Sequence, residues 1–219
     1  MLESLSDQIV RISILAVPLL LGLTCHELAH GVVALALGDP TAKLAGRLTM
    51  NPLRHLDPMG AIAFLLANIG WAKPVPVNSS YFKRPRQGMM LVALAGPGAN
   101  FLLAALFAGA FHLLLPLALA HPELRSLLPP LLLISQAGVV VNLMLAFFNL
   151  LPIPPLDGSN ILAWFLPGRL AYSYLALGRY GFLLLLGLLI ASQLLGVSLL
   201  GALIYPPVGF VARLLGVPL

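Results

Sequence analysis

Residues 8–37 form an apolar run that continues from "IVRISILAVPLLLG" into "LTCHELAHGVVALAL" and stops at Gly38-Asp39-Pro40. A helix needs about 20 apolar residues to cross a bilayer core. This run exceeds that length, and a backbone in hydrocarbon must satisfy its own hydrogen bonds, so it is expected as a spanning helix. Residues 89–119 and 128–150 repeat the pattern. The apolar tail after Arg179 is long enough for two more spans with a tight turn near Gly196. The expected fold is an all-α polytopic membrane protein with about five spanning helices, formed by a single membrane-embedded domain over residues 1–219.

Only 9% of residues are charged and 60% are hydrophobic, against about 25% charged in soluble domains. The net charge of +5 does not point to nucleic acid, because the basic residues fall in the gaps between apolar runs, where membrane loops carry them. The lipid bilayer is the expected partner. A lone cysteine, Cys25, excludes an internal disulfide framework. The first run lacks a basic leading region and a small-residue cleavage site, so no cleavable signal peptide is expected. Residues 59–71, "MGAIAFLLANIGW", are too short for an ordinary span and suit a re-entrant or interfacial segment. The stretch "LAGRLTM" at 44–50 is expected to form a small β element at the membrane surface.

Within the first run stands "HELAHG" at 26–31. His26 and His30 lie one turn apart on one helix face, so their imidazoles can meet at one metal ion. Glu27 projects to the side of that pair, where a general base belongs. This is the pattern of a zinc hydrolase: two histidines for the metal and a carboxylate to move the proton. Ionisable residues inside a membrane are costly and mark function by default; the alternative is a polar trio packing between helices. A catalytic zinc takes three protein ligands and keeps one position open. Asp157 in "NLLPIPPLDGSN" follows three prolines that break a helix; it is either a carboxylate delivered to the metal or a solvated turn residue. His55 and Asp57 in "RHLDP" are alternatives within a polar segment, and Cys25 points about 100° away from His26 around the helix.

Five pieces occur in order: "HELAHG" at 26–31, "GRLTMNPLRHLDPMG" at 46–60, "GWAKPVPVN" at 70–78, "LAGPGANF" at 94–101 and "NLLPIPPLDG" at 149–158. Together they resemble the site-2 protease family of intramembrane zinc metalloproteases, in its compact subgroup without a PDZ domain. The resemblance implies Asp157 as the third zinc ligand, Asn149 facing the active site, and the Gly96-Pro97-Asn100 helix packed beside the catalytic helices. It implies hydrolysis of peptide bonds in or near the transmembrane helices of membrane-protein substrates, with selection falling to the helices, the loops or a separate regulatory membrane partner. Asn142 and Asn149 are seven apart on one helix face, which suits either a polar stripe toward the zinc or plain interhelical hydrogen bonding.

If residues 59–71 spanned, the chain would cross six times, and the histidines and Asp157 would lie at opposite faces of a core about 30 Å thick. If they dip and return, the first helix and the 128–150 helix run the same way and the ligands can meet. Ten basic residues then lie on one side, with only Arg11 and Arg125 on the other. A six-span arrangement gives eight against four. The positive-inside rule favours the dip, in a plasma-membrane protein with the active site toward the cytoplasm. Two other functions use similar residues: a metal transporter or metal-binding scaffold, and an inactive relative that binds substrate helices without cutting.

Overall fold

The computed structural model describes residues 5–57, 59–60 and 72–219. Among these residues the protein is helical. Helix α1 (Leu5–Ala36) and the short α2 (Thr41–Leu44) are followed by α3 (Pro85–Ala120), α4 (Leu128–Asn149) and α5 (Asp157–Phe165). Then come α6 (Gly168–Ala176), α7 (Gly181–Leu195) and α8 (Leu199–Leu214). Three helical stretches are long and apolar enough to cross a membrane: Ile12–Ala36 of α1, then α3 and α4.

Their directions follow from side-chain contacts. Moving along α1 from Gly22 to His30, the partners on α3 step backward from Asn100 to Val92. Helix α3 is therefore antiparallel to α1. Asn100 on α3 meets Asn142 on α4, and a Cβ on Gly138 would strike Phe107; α4 is thus antiparallel to α3. Helices α1 and α4 run the same way, which is the condition for His26 and Asp157 to meet.

The chain between α1 and α3 leaves and returns on one side. The Asp39 carboxylate accepts from the Asn78 N–H at 2.6 Å. Farther out, an antiparallel bridge joins Leu56 to Ala72, and the Lys73 N–H donates to the His55 carbonyl at 2.8 Å. The flanks of residues 59–71 are thus side by side, whereas the course of that segment, and so its expected dip, lies outside the described residues. The expected β element at 44–50 is not formed. Leu44 closes α2, and Gly46 turns the chain with φ +63°, a left-handed conformation that interrupts a strand. Among the described residues the Leu56–Ala72 bridge is the nearest thing to a sheet.

The tail turns at Gly196 as expected, but its two helices are shorter than expected. Gly196, at φ +65°, divides it into a 15-residue α7 and a 16-residue α8, each shorter than the about 20 residues of a straight span. Gly168–Tyr180 and Leu183–Leu195 meet at a 73° bend and together could make a fourth crossing. Among the described residues there are three full-length helices, or four crossings with the bent pair, so the expected count of about five is not confirmed. Helix α8 contributes Ile204, Val208 and Ala212 to one buried apolar cluster with Ala104, Ala108 and Phe111 of α3 and Val139 and Leu143 of α4. The carbonyls of Leu215 and Pro218 accept from His112 on α3 and Gln136 on α4. His112 lies 16 residues beyond Gly96, about 24 Å along the helix. Arg213 therefore ends up on the side away from the histidine pair, not with the other loop residues as expected.

Candidate metal centre

Helix α1 delivers His26 and His30 one turn apart, both buried. Their Nε2 atoms are 3.0 Å from each other. The Oδ2 of Asp157 lies 3.1 Å from His26 Nε2 and 3.3 Å from His30 Nε2. Among the described residues these three form the group able to hold a metal ion.

Asp157 reaches the histidines because the chain turns sharply after α4. Pro152, Pro154 and Pro155 cannot continue the helix. Asp157 then opens α5. The next residue has to be glycine on steric grounds: a Cβ on Gly158 would sit 2.2 Å from the Leu150 carbonyl oxygen and 2.4 Å from that of Leu151. A second close approach brings in α3. A Cβ on Gly96 would lie 2.6 Å from Cε1 and Nε2 of His26 and from Cε1 of His30. Small residues let membrane helices approach this closely.

The protons in the centre can be assigned from the partners. His30 Nδ1 faces the Val92 carbonyl at 2.7 Å; a carbonyl only accepts, so Nδ1 carries the hydrogen and Nε2 keeps its lone pair. His26 Nδ1 faces Asn100 Oδ1 at 2.7 Å. The amide orientation is fixed because Asn100 Nδ2 donates to the Gly22 carbonyl. His26 therefore also donates from Nδ1 and turns a lone pair inward at Nε2. Two imidazole lone pairs and a carboxylate oxygen thus converge, and Asp157 Oδ2 is buried without a hydrogen-bond donor. Such a set is costly to bury unless a cation fills it. A four-coordinate zinc with ligand bonds of about 2.0–2.1 Å holds its ligand atoms about 3.3 Å apart. The separations here are 3.0, 3.1 and 3.3 Å, so the donor set fits zinc in type, number and spacing.

The other residues singled out in the sequence fall as follows. Glu27 is half-buried beside the pair, and its Oε2 accepts from the Val75 N–H at 2.7 Å. Asn149 donates from Nδ2 to the Leu145 carbonyl of its own helix at 3.0 Å. His55 is buried in the loop with Nε2 on the Thr49 carbonyl, and Asp57 accepts from the Gly60 N–H. Neither His55 nor Asp57 joins the histidine pair. Cys25 is a half-buried free thiol outside the group. Sequence reasoning did not find that Gly96 and the Val92 carbonyl touch the histidines, nor that the Gly22 carbonyl holds Asn100. The only trace of these contacts in the sequence is small-residue spacing and the "GPGAN" run.

The chain is 43% identical over 176 residues to "Putative zinc metalloprotease YwhC" of Bacillus subtilis, covering 80% of each chain. It is 29% identical over 184 residues to "Putative zinc metalloprotease Rip2" of Mycolicibacterium smegmatis, covering 80% of this chain and 66% of that one. Against the protein of that name from Mycobacterium tuberculosis H37Rv the identity is 33% over 149 residues, covering 64% and 52%. No family model and no solved structure matches the chain.

Proposed function

This chain belongs to the zinc metalloprotease family of YwhC, with zinc as its cofactor, and from that premise we propose that it is an intramembrane endopeptidase of the site-2 protease type, in the compact subgroup without a PDZ domain. Its substrates are membrane proteins cut in or near a transmembrane helix. The observation that carries this reading is the convergence of two imidazole lone pairs and a carboxylate at a point where three membrane-length helices or their ends meet.

His26 Nε2, His30 Nε2 and Asp157 Oδ2 would hold the metal. Bound there, zinc supplies Lewis acidity toward water and the scissile carbonyl. Glu27 is the general base. Its Oε2 is engaged by the Val75 N–H, which leaves Oε1 to take a proton from the attacking water and return it to the departing amine. The Asn100 and Val92 oxygens keep the hydrogens on both Nδ1 atoms, so the two rings stay aimed inward. Asn149 is assigned a donor role toward the developing oxyanion through its second Nδ2 hydrogen, the first being held by the Leu145 carbonyl. A substrate helix hides its carbonyls in its own hydrogen bonds, so it must unwind locally before attack.

Nine basic residues lie on the side of the loops, against Arg11, Arg125 and Arg213 on the other. That excess supports a plasma-membrane protein whose active site faces the cytoplasm. Substrate choice falls to the helices, the loops or a regulatory membrane partner. A metal transporter would repeat ligands along a path, whereas the described residues hold one compact cluster; an inactive relative would have no need of Glu27.

The test is cleavage of a reporter transmembrane peptide by the purified protein and by Glu27→Gln, with zinc measured on both. General acid–base catalysis is worth about 10²–10⁴-fold. Turnover should fall by at least about a hundredfold while zinc stays bound. Cleavage by the variant at the parent rate would refute the mechanism, and loss of zinc would make Glu27 a ligand and favour the metal-scaffold reading.

A further inference from the structure

Behind the metal centre lies a hydrogen-bond relay that spans all three long helices. His26 Nδ1 donates to Asn100 Oδ1 at 2.7 Å. Asn100 Nδ2 has two hydrogens and two acceptors: the Gly22 carbonyl at 3.2 Å and Asn142 Oδ1 at 3.0 Å. Asn142 Nδ2 donates in turn to the Gly138 carbonyl at 2.9 Å. Both asparagines are fully buried. The direction of the relay is fixed at both ends, because Gly138 and Gly22 present carbonyls that can only accept. Neither amide can flip without setting an oxygen against a carbonyl in a dry interior. Gly22 also makes room for the relay, since a Cβ there would lie 2.8 Å from Asn142 Oδ1.

We propose that Asn100 and Asn142 are positioning residues of the metal centre: Asn142 orients Asn100, and Asn100 holds His26 in the tautomer and ring orientation that turn Nε2 toward zinc. This rests on the zinc reading given above. Buried interhelical amides could serve packing alone. Two features distinguish the relay from that. It ends on a ring nitrogen of a proposed ligand, and every donor and acceptor in it has one permitted direction. Outer partners of metal-bound histidines typically change metal affinity or activity by 10–100-fold when removed. The relay also ties zinc binding to the contact of α1, α3 and α4.

The experiment compares zinc affinity, by chelator competition, in the detergent-solubilised full chain and paired variants of similar shape. Asn100→Leu and Asn100→Asp both discard the amide donors, but only Asn100→Asp keeps an oxygen facing His26. Asn100→Leu should bind zinc at least tenfold more weakly than the parent, and Asn100→Asp, whose protonated acid keeps one of the two donated bonds, should recover part of that loss. Equal affinity in Asn100→Leu and the parent, or equal losses in the two variants, would overturn the proposal. Should Asn100→Leu not fold, Asn142→Leu and Asn142→Asp repeat the comparison one step away from the metal. A neutral acid at 142 can replace both amide bonds, so Asn142→Asp should bind more tightly than Asn142→Leu, and equality would again overturn the proposal. His26→Ala separates the two levels of inference. If it keeps zinc, the ligand assignment itself fails; if it loses zinc while Asn100→Leu does not, only the relay fails.

Discussion

At the residue scale, the centre depends on two glycines as much as on its ligands. Gly158 lets α5 start against the end of α4, and Gly96 lets α3 touch both imidazoles. A methyl group at Gly96 would have to displace the rings or the helix, and overpacking of this kind costs about 1–3 kcal/mol. Gly96→Ala should therefore lose zinc affinity by about fivefold or more (a 1.4 kcal/mol change is tenfold) while keeping His26, His30 and Asp157. Asp157→Ala should lose zinc outright, because it removes the carboxylate. Zinc retained after dialysis against a chelator measures both, and full occupancy in Asp157→Ala would exclude a three-ligand site. The approach of His26 to His30 was legible in the sequence because it rests on helical spacing alone. Asp157 was visible as an unusual carboxylate after three prolines, but its destination depends on the direction of α4. Asn100 entered through the family resemblance and Asn142 through its seven-residue spacing from Asn149. Their roles depend on the register of three helices, which no local pattern carries.

At the element scale, two polar clamps hold the pieces that carry chemistry. Arg86, in the first turn of α3, donates from Nη2 to the carbonyls of Ala163, Trp164 and Leu166. It thereby caps the end of α5 and fixes the helix that begins with Asp157. The second clamp is Asp39, which binds the Thr41 N–H and hydroxyl and the Asn78 N–H. It anchors the extended stretch 73–78, whose Val75 N–H reaches Glu27. Burial acts to raise the Asp39 carboxyl, yet the Thr41 hydroxyl, the Asn78 N–H and the Thr41 N–H together hold it below the ordinary carboxylate range. A carboxyl lowered in the folded state stabilises the fold above its unfolded value of about 3.9, and that contribution is lost as pH falls through the folded value. Asp39→Asn should melt below the parent at neutral pH, and the gap should narrow below about pH 4. A gap independent of pH would show that Asp39 does not act through its charge. The sequence offered Gly-Asp-Pro at this point only as a helix stop. The clamp was not legible because its partner lies 39 residues away. The misread strand at 44–50 has a related cause: a plausible run of residues says nothing of the left-handed turn at Gly46.

At the scale of the whole molecule, the directions of α1, α3 and α4 decide which chain segments share a side. Asp39 is bonded to Asn78, and Leu56 is paired with Ala72, so the loops on either side of residues 59–71 lie together. The end of the chain lies elsewhere. The Leu215 and Pro218 carbonyls are held by His112 and Gln136, near the far ends of α3 and α4. An apolar tail read only by length suggested two further full spans and placed Arg213 beside the other loop residues. The turn at Gly196 was foreseen, but the anchoring of Leu215 and Pro218 on His112 and Gln136 puts Arg213 opposite. Three labels test this layout. In a Cys25→Ser background, Lys43→Cys, Ser80→Cys and Leu219→Cys each place a thiol at an exposed position. With a membrane-impermeant reagent on sealed vesicles, Lys43→Cys and Ser80→Cys should react from one side and Leu219→Cys from the other. If Lys43→Cys and Ser80→Cys react from opposite sides, residues 59–71 cross the bilayer. Helices α1 and α4 could not then run the same way, and Asp157 could not reach the histidines. If all three react from one side, α8 turns back, and the packing of Val217 against the far half of α3 is wrong.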